Sequence, residues 1–252
     1  AVNARDLTTF IVDIDRACRL MKKIPDTFIK LGFSGIHSAN EVKKYKNAGA
    51  QIVLVGTNLM KAKNIKSFIN KLTTPQVKVK ICGIRTLESA QTAIDAGADF
   101  LGFNFVPFSK RYIKPELAKK IIMKLKGEIK VIGVFQNVQA NYVDKITNFL
   151  GLDFIQLHEK RIIKSVHDKT TFLLVDRKTQ GVGNMPNLDK SKTIAKNMPI
   201  FFAGGLNLNN IEEVVKKVKP YAVDVAGGIE TNGEQDLKKI INFIHKAKGV
   251  TI

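Results

Sequence analysis

Three side chains in this sequence have the type and the setting to do chemistry: Cys82, Asp176 and Arg111. Cys82 follows the run Val77-Lys78-Val79-Lys80-Ile81 and directly precedes Gly83, where a strand gives way to a turn. A thiol there is either a small buried hydrophobe or, beside a cation or a helix N-terminus, a base or nucleophile of lowered pKa. Asp176 closes Thr171–Val175 in the same way and reads as a proton donor or as a helix N-cap. Arg111, in Ser109-Lys110-Arg111-Tyr112, has the planar fork that holds a carboxylate or phosphate, although a loop arginine can equally be solvated. Gly204-Gly205 and Gly227-Gly228 stand 23 residues apart at the ends of two apolar runs, where backbone N–H groups could approach an anion. His37, His158, His167 and His245 lack metal-ligand spacing, and the sequence has neither a nucleotide-binding glycine loop nor a serine-hydrolase elbow. Acid–base chemistry by a cysteine and an aspartate, without metal or nucleotide cofactor, is what these residues allow.

The elements that must position them repeat. Ser34-Gly35-Ile36 leads through a helical stretch to Ala48-Gly49-Ala50 and the run from Ile52 to Val55. Cys82-Gly83-Ile84 leads likewise to Ala96-Gly97-Ala98 and the run from Phe100 to Phe105, and Gly204-Gly205-Leu206 to Lys219-Pro220 and Tyr221 to Val225. Ser38 with Glu41 has capping-box spacing, and Thr86 stands where an N-cap belongs. The runs are mostly continuous and apolar, as in strands covered on both faces of a parallel sheet. Further strands are predicted at Phe28–Phe33, Val77–Gly83, Lys130–Phe135, Asp153–His158, Thr171–Asp176 and Ile200–Gly204, with helices at Pro115–Leu125 and Val138–Leu150. Alternating βα units define an α/β fold, either a closed (βα)8 barrel or an open doubly wound sheet. In a barrel, strand C-terminal ends face the active site, and phosphate often binds after the last two strands. Lys71-Leu72-Thr73-Thr74-Pro75 is the best domain boundary.

Composition narrows the class. The chain has 252 residues, enough for one α/β barrel or two small domains, and 44% of them are hydrophobic, as in an ordinary globular protein. No run of about 18 apolar residues could span a membrane, and Ala1 to Phe10 does not read as a signal peptide. Two cysteines give no disulfide framework, so a reducing cytosol is the expected compartment. The net charge of +19 comes mainly from 34 lysines against 7 arginines, without the clustered arginines and aromatics of nucleic-acid readout. It predicts a lysine-rich surface that attracts a small anionic substrate rather than nucleic acid.

From about Gln76 to Gly249 these motifs resemble the phosphoribosylanthranilate isomerase family. They are Val79-Lys80-Ile81-Cys82-Gly83-Ile84, Gly97-Ala98-Asp99-Phe100-Leu101-Gly102-Phe103 and Ser109-Lys110-Arg111-Tyr112-Ile113, followed by Gly133-Val134-Phe135, Ile155-Gln156-Leu157-His158, Ala203-Gly204-Gly205-Leu206 and Ala222-Val223-Asp224-Val225. The resemblance implies a TIM barrel that carries out a cofactor-free Amadori rearrangement in tryptophan biosynthesis. It further implies Cys82 as general base, Asp176 as general acid and Arg111 at the anthranilate end. Gly204, Gly205, Ala226 and Gly227 would then hold the phosphate.

The first 70 residues resemble the C-terminal part of indole-3-glycerol-phosphate synthase, through Asn3-Ala4-Arg5-Asp6-Leu7, Phe33-Ser34-Gly35-Ile36 and Leu54-Val55-Gly56-Thr57-Asn58-Leu59-Met60. Phe33 replaces the glutamate of that family's E-S-G-I, and the strands carrying its catalytic lysines and glutamates are missing, which predicts no synthase activity. Residues 1–75 are therefore expected to be βα units of a synthase-like barrel, and residues 76–252 an isomerase-like barrel. That barrel is shortened in the middle. Seven strands are evident from Val77 onward where eight are needed, and Glu159-Lys160 is too short for a parallel crossover into Arg161–Val166. That segment is then a helix with one strand missing, or the barrel closes by another route; Phe28–Phe33 or Gln51–Gly56 could supply the strand. The glycine loop is degraded to Gly181-Val182-Gly183-Asn184-Met185-Pro186-Asn187-Leu188-Asp189. A remnant that merely binds sugar phosphates or serves as a scaffold is the alternative to an active isomerase.

Overall fold

A computed structural model describes residues 1–73, 76–125, 127–177 and 185–250. The chain forms two compact units, Ala1–Pro75 and Gln76–Val250. Thr74 and Pro75 of the predicted boundary, and residues 181–184 of the glycine loop, lie outside the described residues.

The first unit contains β1 (Val2–Asn3), α1 (Ile14–Lys22), β2 (Leu31–Phe33), α2 (Ala39–Asn47), β3 (Ile52–Leu54), α3 (Thr57–Met60) and α4 (Ile65–Thr73). Its strands make one parallel sheet in the order β1-β2-β3. Phe28–Phe33 and Gln51–Gly56 therefore do not supply the barrel's missing strand: Leu31–Phe33 and Ile52–Leu54 pair with each other. The capping box forms as the spacing predicts, with Glu41 Oε2 accepting from the Ser38 backbone N–H at 2.6 Å. Tyr45, fully buried, donates its hydroxyl to the Phe33 carbonyl at 2.7 Å and ties α2 to the end of β2.

The second unit is built from β4 (Lys78–Cys82), α5 (Leu87–Asp95), β5 (Phe100–Asn104), α6 (Pro115–Lys124), β6 (Lys130–Phe135), α7 (Ala140–Leu150), β7 (Phe154–Leu157), β8 (Ile162–Ser165), β9 (Thr171–Val175), α8 (Leu188–Asn197), β10 (Ile200–Phe202), α9 (Ile211–Val218), β11 (Ala222–Val225), the hairpin β12 (Glu230–Thr231) and β13 (Glu234–Gln235), and α10 (Leu237–Lys248). Eight strands close a barrel in the order β10-β11-β4-β5-β6-β7-β8-β9. The closed form prevails over the open sheet.

The eighth strand is β8, and it runs backwards. Ile162 pairs antiparallel with Leu157 of β7 and with Leu173 of β9, while every other neighbouring pair in the barrel is parallel. The reason is loop length. Residues 158–161 cannot reach back to the far end of the sheet, but they suffice for a hairpin turn. A second tight connection, residues 166–170, returns the chain into β9. Because two reversals restore direction, β9 regains the sense of the other strands, and no helix intervenes between β7 and β9.

Alternation along the strands separates two cores. Inward residues Phe100, Ile132, Ile163, Phe172, Leu174, Phe201, Ala203 and Ala222 fill the barrel's lower interior, with Phe154 and Tyr221 against them. The Phe172 and Tyr221 rings stack at 4.6 Å, and Phe100 meets Phe154 edge-on at 5.9 Å. Outward residues such as Val79, Ile81, Leu101, Phe103 and Phe135 pack with the helices. Thr86 caps α5 by accepting from the Ser89 N–H at 3.1 Å. No described helix is long and apolar enough to cross a membrane.

Candidate active site

Strand period places the site's side chains. In β4, Ile81 points outward to the helices, so Lys80 and Cys82 both point into the barrel. The same parity sends Gln156 of β7 and Asp224 of β11 inward, above the aromatic floor. His158, Asp176 and Ala226 each follow an inward residue by two positions, so they continue the inward face beyond the strand ends. These ends lie on one side because β4, β7, β9, β10 and β11 run in the same sense. The reversed β8 contributes its turn to that side: Arg161 reaches the carbonyl of Asp176 at 3.4 Å.

At the centre is Lys80, fully buried. Its Nζ donates to Asp224 Oδ2 at 2.7 Å, to Gln156 Oε1 at 2.7 Å and to Cys82 Sγ at 3.4 Å. Asp224 stands opposite Lys80 in the β11–β4 register, and its second oxygen, Oδ1, is buried without a hydrogen-bond partner. Gly102, opposite Cys82 on β5, makes the room. A Cβ there would stand 2.9 Å from both Cys82 Sγ and Lys80 Cε.

Burial pushes the Cys82 thiol above its ordinary range, and the Lys80 ammonium opposes that shift. Burial likewise pushes the Asp224 carboxyl up against the pull of Lys80. Burial works to lower the Lys80 pKa, but the attraction of Asp224 and Cys82 and the hydrogen bonds to both together outweigh it, and the ammonium is held above its usual value.

Asp176 Oδ1 accepts from the Arg177 backbone N–H at 2.7 Å, and Oδ2 lies 4.0 Å from His158 Nε2. Gly204 backs onto it, since a Cβ at that position would stand 2.5 Å from Asp176 Oδ1. The backbone N–H groups of Gly204, Gly205, Ala226 and Gly227 donate to no other described residue, as an anion site would need. Arg111 lies across Gly83 and gives two of its N–H groups to Glu230, Nε to Oε1 at 2.5 Å and Nη2 to Oε2 at 2.8 Å. Gln235, paired with Glu230 across the β12–β13 hairpin, donates to the Cys82 carbonyl at 3.3 Å.

All the side chains and glycines predicted from sequence thus fall at the C-terminal ends of β4, β9, β10 and β11 or in the loop after β5. Lys80, Gln156, Asp224, His158 and Glu230 escaped that reading. For Lys80 and Asp224 a signal existed: Asp224 is the single charge in the strand Ala222–Val225, and Lys80 precedes Cys82 by two residues, on the same strand face. Glu230 had none, because its partner lies 119 positions away.

A closed α/β barrel with ionisable side chains and uncommitted backbone amides at one mouth belongs to the class of barrel enzymes that act on small anionic substrates. The family model described as N-(5'phosphoribosyl)anthranilate (PRA) isomerase matches residues 79–167 and 159–246, and the model for indole-3-glycerol phosphate synthase matches residues 1–72. The chain belongs to the N-(5'-phosphoribosyl)anthranilate isomerase family. The two isomerase matches overlap at 159–167, the segment containing β8, so the family pattern breaks where the strand reverses.

The N-(5'-phosphoribosyl)anthranilate isomerase of Thermoanaerobacter pseudethanolicus is 37% identical over 202 residues, covering 69% of this chain and 99% of that protein. A multifunctional tryptophan biosynthesis protein of Phycomyces blakesleeanus is 31% identical across the whole chain, which spans 45% of that relative's length. Among solved structures, an isomerase in complex with reduced 1-(o-carboxyphenylamino)-1-deoxyribulose 5-phosphate matches with a TM-score of 0.59 and 28% identity, covering 69% of this chain and all of that one. The isomerase of Thermus thermophilus matches at 0.58 and 29%, covering 68% of this chain and 98% of that one.

Proposed function

We propose that the chain carries out its family's reaction, the cofactor-free Amadori rearrangement of N-(5-phosphoribosyl)anthranilate to 1-(2-carboxyphenylamino)-1-deoxyribulose 5-phosphate in tryptophan biosynthesis. The observation that carries the reading is that Cys82, Asp176 and the Gly204-Gly205 turn share one mouth of a closed barrel, with Gly204 directly behind Asp176. Asp176, as acid, gives its proton to the ring oxygen while the C1–O bond breaks and the nitrogen lone pair forms C1=N. The iminium makes the C2 hydrogen acidic, and Cys82, as thiolate, removes it to give an enolamine. Protonation at C1, with loss of the C2 hydroxyl proton to solvent, then leaves the ketone at C2. Each group works on its own ring atom, one giving a proton and the other taking one.

Backbone amides of Gly204, Gly205, Ala226 and Gly227 hold the phosphate. Arg111 meets the anthranilate carboxylate with N–H groups that Glu230 leaves unused, a guanidinium carrying five. The +19 charge raises the encounter rate with this polyanionic substrate. The closed barrel and the intact motifs favour catalysis over a scaffold remnant. Loss of the substrate's anthranilate fluorescence on adding the protein tests the reading, with Cys82→Ala and Asp176→Ala as controls. Folded protein that gives no loss above the buffer blank overturns it.

The unit of residues 1–75 is read as synthase-like and residues 76–252 as the isomerase barrel. These 252 residues are expected to lack synthase activity, because the first unit closes no barrel of its own and places Phe33 where the synthase pattern has glutamate. Release of indole-3-glycerol phosphate by the purified chain would contradict this.

A further inference from the structure

We propose that Lys80 is the positioning residue that makes Cys82 a base, by holding one negative charge that the thiol and the Asp224 carboxyl share through a single proton. The inference rests on the reading of Cys82 as the base and names what enables it. An ammonium has three protons to donate, and the three contacts of Lys80 use all of them: Asp224, Gln156 and Cys82. A thiol facing an ammonium must turn its own proton aside, whereas a thiolate accepts the N–H directly. The structure also provides a place for the displaced proton. Asp224 Oδ1 is buried and has no hydrogen-bond partner, while Oδ2 is held by Lys80.

Two arrangements therefore place one anion beside Lys80: thiol with carboxylate, or thiolate with carboxylic acid. Two anions would have to share a single buried ammonium, which the low-dielectric interior disfavours. Burial raises both the thiol and the carboxyl, and the Asp224 charge raises the thiol further while Lys80 pulls each of them down.

The other groups around the pair are few. Arg111, from the loop after β5, favours the thiolate. Asp176, beyond β9, disfavours the Asp224 carboxylate, and His158, beyond β7, favours it when protonated. Gly102 on β5 offers no side chain, and Gln235 reaches the Cys82 carbonyl rather than its sulfur.

Cysteine ionisation in the substrate-free chain separates this proposal from a merely structural role. The rate of Cys82 alkylation by iodoacetamide is followed against pH in a Cys18→Ser background, which leaves Cys82 as the sole thiol. Asp224→Asn is expected to lower the midpoint by about one unit or more, because Lys80 then serves the sulfur alone. Lys80→Met is expected to raise it by a similar amount, and Lys80→Arg, which keeps the charge, to restore it. On the rising limb these are roughly tenfold rate changes in opposite directions. Midpoints that stay put, or that move the same way in Asp224→Asn and Lys80→Met, overturn the proposal. Where Lys80→Met does not fold, Asp224→Asn decides alone, and a midpoint that fails to fall refutes it. Isomerase activity retained by Cys82→Ala would refute Cys82 as the base and leave the alkylation result standing.

Discussion

Gly204→Ala tests the seating of Asp176 most sharply, because its neighbour provides a matched control. Both Gly204 and Gly205 adopt left-handed backbone, with φ of +86° and +82°. An alanine at either pays about 1–2 kcal/mol for that conformation. At Gly205 the added carbon meets nothing nearer than Met185 Cβ at 4.0 Å, so the cost ends there. At Gly204 it meets Asp176 Oδ1 at 2.5 Å and the Arg177 backbone nitrogen at 2.7 Å, and Pro186 Cδ at 3.3 Å closes the far side. The carboxylate could rotate away, but the backbone nitrogen yields only if the end of β9 moves, which adds about 1–3 kcal/mol. Gly204→Ala should thus lose about 2–5 kcal/mol and Gly205→Ala about 1–2. At about 2–4 °C per kcal/mol for a unit of this size, thermal melts should separate the two by several degrees. A shift of Asp176 approaching 1 Å should also lower kcat for Gly204→Ala by about 100-fold, against a far smaller loss for Gly205→Ala. Equal melting temperatures, or an unchanged kcat in folded Gly204→Ala, would refute the contact and with it the placement of the acid.

Three further outcomes are expected. Arg111→Lys exchanges a two-pronged grip on Glu230, which is 7% exposed, for a point charge; the substrate contact weakens too, and kcat/KM in the fluorescence assay should fall about 10- to 100-fold. Ile163→Ala, inside the barrel on β8, should cost about 2–5 kcal/mol in urea unfolding, whereas a loss under 1 would place the reversed strand outside the core. The pH dependence has a definite sign: Cys82 and Lys80 keep their protons longer in the fold than in the unfolded chain, so the native state binds more protons and stability falls as pH rises. The thiol's loss begins near its ordinary 9.0 and the ammonium's near 10.5, so urea midpoints should drop from pH 8 to pH 11, and Cys82→Ala should flatten the first part of that drop.

Local chemistry was legible where local physics decides. The run at Lys130–Phe135 became a strand buried on both faces of the sheet, and Thr171–Val175 one that buries Phe172 and Leu174 inside the barrel and half-buries Leu173 and Val175 outside it. The cap residues Ser38 and Thr86 formed their hydrogen bonds because a cap needs partners merely two or three positions away. The segment Arg161–Val166 was legible as too close to Gln156-Leu157-His158 for a parallel crossover, but its outcome was not. Whether it became a helix or a reversed strand depended on the gap between β7 and β9, which has to be filled for the barrel to close.

The sequence by itself determined the α/β class and which residues stand at strand ends, since these follow from spacing along the chain, and its motifs carried the resemblance to the family. The tertiary structure decided what each of those residues faces. Cys82 meets Lys80 by strand period, but the Lys80 ammonium meets Asp224, 144 positions away, and Gln156, 76 positions away, because the sheet closes on itself. Charges so far apart in sequence become one electrostatic unit when the barrel brings them together and excludes water. That exclusion turns a common thiol, lysine and aspartate into groups that must share a charge.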